Sequence, residues 1–263
     1  MTSEKTELID KYVTSLDWLR DLFLEMDDLA KPYLGIVAWD DAVCVEFGGK
    51  KLVVSVDGPY TKRLVMKSAL IHAATDVVVK GAKPLFALDT LIGSQADVEE
   101  MAQSLKTQAL EMKIPILGGN TLFEEADPRA TVTVVGELLI DAPISDAGAQ
   151  KGDVILLIGE PIWGEQGERI EKAKVLFESW FEILDNGIKI NSSKDVTKGG
   201  LVSVAYEMEQ KSGRKFEIKK DIPFSKTRNL DNFIVTVPEK EADKIKEICG
   251  IRGCSVEKIG KVC

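Results

Sequence analysis

Met66-Lys-Ser-Ala-Leu-Ile-His-Ala-Ala-Thr-Asp-Val-Val-Val-Lys-Gly-Ala-Lys-Pro-Leu-Phe-Ala-Leu-Asp-Thr-Leu91 decides the fold. Met66 to Lys80 is apolar around most of its circumference, which predicts a buried helix. Gly81 stops it, and Pro84 lies just beyond. Pro84 to Leu91 then reads as a strand. One acid, Asp76, sits inside the apolar helix. An ionised carboxylate there is costly unless it is paired, hydrogen-bonded or metal-bound, so Asp76 is a functional candidate. His72, one turn earlier, shares its face and reads as a core or interface histidine.

Upstream, apolar residues from Glu4 to Leu29 recur at three- and four-residue spacing and predict a helix. Val37 to Phe47 and Lys51 to Val56 read as strands joined by a Gly48-Gly49 turn. Downstream, Ala96 to Met112 is amphipathic and helical. Ile114 to Leu117 is an apolar strand, and Ala130 to Leu139 alternates as a strand should. Asp141 to Gly148 reads as a linker, which divides the chain into residues 1–145 and 146–263. In the second part, Val154 to Ile158 is continuously apolar and suits a strand buried on both faces. A loop over 159–167 leads to a helix over Glu168–Asn186 and another over Leu201–Gln210. Phe233–Val237, Glu239–Cys249 and Ser255–Val262 read as strand, helix, strand. Helices and strands mixed irregularly give an α+β class.

The net charge of −9 argues against a nucleic-acid partner, which selects for a basic face. No apolar run reaches the ~20 residues that span a bilayer. The polar start, Met1 to Asp10, lacks a signal-peptide core, so a cytoplasmic location is expected. The four cysteines form no C-x-x-C pair and read as free thiols rather than a zinc site.

Several short segments carry candidate chemistry. Asp40-Asp41-Ala42 pairs two carboxylates, whose repulsion a cation relieves; it also reads as a solvated turn. Asp57 follows an apolar strand, with Gly58 permitting a turn. Thr61 and Lys62 come next, and Lys62 is either a phosphate-neutralising cation or a solvated loop residue. Gly118-Gly119-Asn120-Thr121 follows a strand and reads as a tight turn able to approach an anion. Lys194-Asp195-Val196-Thr197-Lys198-Gly199-Gly200 precedes a helix, whose N-terminus suits phosphate. No Walker, G-x-G-x-x-G or G-x-S-x-G pattern occurs. Hard oxygen ligands of this kind suit Mg²⁺.

Taken together, these segments resemble one superfamily. It comprises aminoimidazole ribonucleotide synthetase, selenophosphate synthetase, thiamine-monophosphate kinase and the hydrogenase-maturation factor that dehydrates a carbamoyl thioester. Ser55-Val-Asp-Gly-Pro-Tyr-Thr-Lys62 is similar to its Asp-Gly-x-x-Thr-Lys segment, and Ala74–Asp89 to its Asn-Asp-(apolar)-Gly-Ala-x-Pro block. Ser193–Leu201 is similar to its Asp-Val-Thr-Gly-x-Gly-Leu segment, and Asp40-Asp41-Ala42 to its Gly-Asp-Asp-Ala segment. The resemblance implies a mainly β first domain that forms a shared barrel in a homodimer, and a ferredoxin-like α/β second domain. It implies a small-molecule substrate activated with ATP and Mg²⁺. Metal would be held by Asp41, Asp57, Asp76 and Asp195, with Asp195 and Lys62 catalytic. Nucleotide would lie against Thr61, Lys62, Gly118, Gly119, Asn120, Thr121 and Lys198. Two departures stand out: Trp39 replaces a glycine, and Asn120 stands where many members carry an acid. Asn120, with a second domain that is short for the family, leaves open a non-catalytic nucleotide-binding subunit. Within the enzyme class, the selenophosphate synthetase-related type is nearest, by the Asp195 segment. A thiamine-phosphate-type kinase or an amide- or amidine-forming synthetase is the alternative.

Overall fold

The computed structural model describes residues 3–219 and 221–263. The chain opens with α1 (Ser3–Tyr12), a 3₁₀ turn at Thr14–Leu16, α2 (Asp17–Phe23) and α3 (Met26–Ala30). The single helix expected over Glu4–Leu29 is therefore broken. The Ser15 hydroxyl donates back to the Lys11 carbonyl (2.7 Å), one of the local bonds that compete with helix continuation. Neither α2 nor α3 buries a residue, so no packing overrides those bonds.

The first sheet has the order β1-β2-β5-β3-β4. Its strands are β1 (Val43–Phe47), β2 (Lys50–Thr61), β3 (Ala82–Gly93), β4 (Ile116–Phe123) and β5 (Arg129–Leu138). Gly48 and Gly49 both have positive φ (60° and 80°), as a two-residue hairpin turn requires. The first strand begins at Val43 rather than Val37, because the chain turns before it, with Trp39 at φ 49°. α4 (Lys62–Val79) and α5 (Gln95–Met112) connect strands of this sheet, and α5 is the crossover between the parallel pair β3 and β4. From Ser68 to Val79 every residue of α4 is buried, because the sheet, α5 and α6 surround it. That all-round burial explains the missing polar face in the sequence.

The Gly118–Thr121 tetrapeptide is not a turn. It lies within edge strand β4, with Gly118 opposite Leu88, Gly119 opposite Asp89, Asn120 opposite Thr90 and Thr121 opposite Leu91. A Cβ on Gly119 would stand 2.1 Å from the Asp89 carbonyl oxygen, so this glycine serves strand approach.

The second sheet is antiparallel throughout, in the order β7-β9-β6-β10-β8. It comprises β6 (Val154–Ile158), β7 (Ser192–Asp195), β8 (Phe216–Ile218), β9 (Phe233–Val237) and β10 (Val256–Val262). β8 was not expected from the sequence; three residues are too few for a period. Helices α6 (Gln166–Asp185), α7 (Gly200–Ser212) and α8 (Glu239–Ile251) cover it. Val154, Leu156 and Ile158 pack into one apolar cluster with α6 and α8, and Ile155 and Leu157 into another with α7. Burial on both faces explains the unbroken apolar run. Trp180 of α6 is buried, and its indole N–H donates to the Val78 carbonyl of α4 (2.7 Å), tying the two halves together. All four cysteines are free. Among the described residues, no helix is long and apolar enough to cross a membrane.

Candidate functional site

Where α4, the end of β2, the loop before β1 and the end of β7 meet, the structure gathers carboxylates. Asp76 of α4 accepts a hydrogen bond from the Ser55 hydroxyl of β2 (2.7 Å). Asp57 accepts from its neighbour Gly58 N–H (2.7 Å) and from the Tyr60 hydroxyl (2.5 Å). Asp195 closes β7, and its Oδ1 is buried without a hydrogen-bond partner. Burial raises the Asp76 carboxyl well above the ordinary range, and the charges of Asp41 and Asp57 add to the effect. Burial raises Asp195 likewise, with Asp41 and Asp76 adding. Asp41, Asp57, Asp76 and Asp195 thus share one electrostatic neighbourhood.

A second set of charges adjoins the first and is fully paired. Asp146, in the segment between the sheets, is the hub: it meets Lys80, Lys194 (3.2 Å) and Lys211 (2.9 Å). Burial alone would raise its pKa, but the three ammonium groups hold it far below the usual carboxylate range. Lys211 also reaches Asp40 (3.2 Å), Glu207 (2.9 Å) and the Trp39 carbonyl (2.5 Å). Lys80 is wholly buried. Burial would lower its pKa, yet Asp146, Asp40 and Asp41 raise it, so it stays charged.

A third group is linked to Asp57 through Tyr60. His72 Nδ1 is 2.8 Å from Asp231 Oδ1, and the Tyr60 ring lies 5.8 Å from the imidazole. Burial would lower the His72 pKa; the charge and hydrogen bond of Asp231 raise it above its ordinary value. Asp231 precedes β9 in a left-handed conformation (φ 55°). Sequence reasoning missed Asp231. Its signal was the polar run Asn229-Leu-Asp-Asn232 before an apolar strand.

The remaining predicted residues lie elsewhere. Thr61 is the N-cap residue of α4, and Lys62 opens the helix with its ammonium 2.7 Å from Asp97 and 2.6 Å from Glu100. Gly118, Gly119, Asn120 and Thr121 are exposed on β4. Lys198 is exposed before α7, where Gly199 (φ 81°) and Gly200 (φ 63°) start the helix. A Cβ on Gly200 would meet the Lys226 carbonyl at 2.6 Å.

Among the described residues, no three acid, imidazole or thiol donors converge into a ready-made metal cage. The donor chemistry nevertheless fits a hard cation. Asp76 and Asp195 are buried carboxylates that repel each other, and Asp195 Oδ1 is bare. Mg²⁺ keeps waters and phosphate oxygens in its shell, so a few protein carboxylates suffice. A cavity of about 260 Å³ borders the paired charges, lined by Tyr12, Trp39, Tyr206, Glu207 and Lys211 among others.

One mixed and one antiparallel sheet, with buried acids gathered at their junction, define a two-part α+β protein with a polyacidic centre. The chain belongs to the AIR synthase related protein family: its N-terminal domain model matches residues 39–138 and its C-terminal domain model residues 170–263. An uncharacterized protein of Methanocaldococcus jannaschii is 39% identical over 257 residues, covering 96% of this chain and 85% of the relative. The selenide, water dikinase of Caldanaerobacter subterraneus is 30% identical over 183 residues, covering 63% of this chain and 52% of that enzyme. Two solved structures share the fold. Thermotoga maritima PurL complexed with ATP superposes with a TM-score of 0.73 at 16% identity, covering 88% of this chain and 43% of PurL. A HypE–HypF complex gives 0.69 at 22% identity, covering 91% of this chain and 92% of the matched chain.

Proposed function

We propose that this protein binds ATP with Mg²⁺ at the acid cluster and uses it to phosphorylate or activate a small-molecule acceptor. One observation carries the reading: Asp76 and Asp195 are buried, Asp195 Oδ1 has no hydrogen-bond partner, and among the described residues neither acid forms an ion pair with a lysine, as Asp146 does. Such carboxylates await a cation. Family membership and the ATP-complexed PurL fold support ATP as its carrier. Asp57, Asp76 and Asp195 would hold the metal; Asp41, the fourth acid the resemblance implies, already meets the Lys194 ammonium. When bound, Mg²⁺ would neutralise charge on the phosphates during transfer. Lys62 and Lys198 supply point charges to phosphate, and Thr61 with Gly118–Thr121 lines the nucleotide. For Lys62 this requires release from Asp97 and Glu100. Lys62 and Asp195 are the proposed catalytic residues.

Residues 1–145 and 146–263 are the proposed domains, since the two sheets share no strand. The homodimer is supported by the exposed apolar side chains Val56, Leu88, Leu117 and Leu122 on the first sheet, which a second copy would cover in a shared barrel. The acceptor is nearest to that of selenophosphate synthetase-related proteins, on the Asp195 segment and the dikinase relative. A second reading, a non-catalytic nucleotide-binding subunit, is favoured by the pairing of Lys62 with two carboxylates.

Thermal melting with Mg²⁺ and ATP tests binding, because a ligand of the folded state raises its stability. The wild type should shift upward with both present; Asp76→Asn and Asp195→Asn should lose the shift and any ATP turnover. Undiminished turnover in both variants would remove the assignment. Binding without turnover across an acceptor panel would select the second reading.

A further inference from the structure

Asp41 differs from the other acids of the cluster. Its Oδ1 accepts a hydrogen bond from the Lys194 ammonium, and its Oδ2, with no hydrogen bond, lies 3.5 Å from the Lys80 ammonium. Lys194 is anchored from two more sides, by Asp146 (3.2 Å) and Glu207 (3.4 Å). It is almost wholly buried, on a strand whose four residues are all buried. A long cationic side chain is held there only by its carboxylates.

A divalent ion bound by Asp41 would sit ~2.1 Å from a carboxylate oxygen. That places it beside an ammonium group, in an interior where like charges repel strongly. Asp195, the next residue along β7, differs: its Oδ1 also lacks a hydrogen bond, but among the described residues no ammonium forms an ion pair with it. Lys194 bonds Asp41 directly, whereas Asp195 feels only its charge.

We propose that Lys194 is a built-in cation: its ammonium takes, at Asp41, the position a divalent ion would hold. The metal-binding set of this chain is then Asp57, Asp76 and Asp195 without Asp41. This rests on the reading that the acid cluster binds Mg²⁺. Replacing the ammonium should open a cation site at Asp41 that is readable without nucleotide.

The test compares the full-length wild type with Lys194→Met and with the charge-neutral pair Asp41→Asn/Lys194→Met. Melting temperature is measured in chelator and in Mn²⁺, Mn²⁺ bound per chain by the loss of the free-ion paramagnetic signal, and Mg²⁺–ATP affinity by calorimetry. Lys194→Met should melt lower in chelator, recover more in Mn²⁺ than the wild type does, and bind one further ion. The paired variant should gain no ion and keep wild-type Mg²⁺–ATP affinity. A Lys194→Met protein that folds yet gains neither ion nor shift would overturn the proposal. If Lys194→Met does not fold, the paired variant decides alone. Loss of Mg²⁺–ATP binding there, to the level of Asp195→Asn, would return Asp41 to the ligand set. Absence of Mg²⁺–ATP binding in the wild type would instead defeat the proposed function, and an extra Mn²⁺ in Lys194→Met would still establish the lysine's role.

Discussion

Asp146 shows at the scale of one residue what a buried charge requires. Its partners Lys80, Lys194 and Lys211 lie far away in sequence, and it is fully buried among them. Asp146→Ala should cost ~3–5 kcal/mol in urea unfolding, because it strands buried ammonium groups. The pH sign follows from the depressed pKa: its stabilisation is fully present above the unfolded value of about 4 and lost as pH falls below it. The urea midpoint of the wild type should therefore fall between pH 5 and pH 3, and less steeply in Asp146→Asn. Lys80 runs the other way. Its raised pKa gives stability present below about 10.4 and lost as pH rises through the higher folded value. Asp76 was legible in the sequence because an acid within an apolar run violates the local pattern. Asp146 was not: in a linker an acid is unremarkable, and its burial is set by three distant lysines. Asp231 escaped for the same reason, since its partner His72 belongs to another element.

At the scale of elements, local chemistry was readable wherever packing agreed with it. The α4–Gly81–β3 succession, the Gly48-Gly49 hairpin and the fully buried β6 all follow from pattern. The N-terminal helix and the Gly118–Thr121 turn did not survive. The first breaks where α2 and α3 bury no residue, and the second is drawn into parallel pairing with β3 that no short-range signal encodes. Glycine spacing still carries predictions. Gly200→Ala forces a side chain into a left-handed position and against the Lys226 carbonyl. It should cost at least ~1–2 kcal/mol in unfolding and weaken the ATP-dependent melting shift. Gly119→Ala cannot keep the present β3–β4 spacing, because its Cβ would meet Asp89. Hydrogen exchange should show faster opening across β4 while β6 and β9 keep their protection.

At the scale of the whole molecule, two sheets are joined through α4, which packs against the first sheet, α5 and α6, and each contributes acids to one centre. The open face of the first sheet predicts the assembly. Sedimentation should give twice the monomer mass, and Val56→Glu with Leu117→Lys should give a folded monomer. A wild type that sediments as a monomer at all concentrations would remove the shared barrel. Calorimetric titration of ATP decides whether the acid cluster holds Mg²⁺ with ATP. The wild type should bind saturably, only with Mg²⁺ present, and Asp195→Asn should not bind. Equal heats in wild type and Asp195→Asn, or no binding to the wild type with Mg²⁺ present, would contradict it.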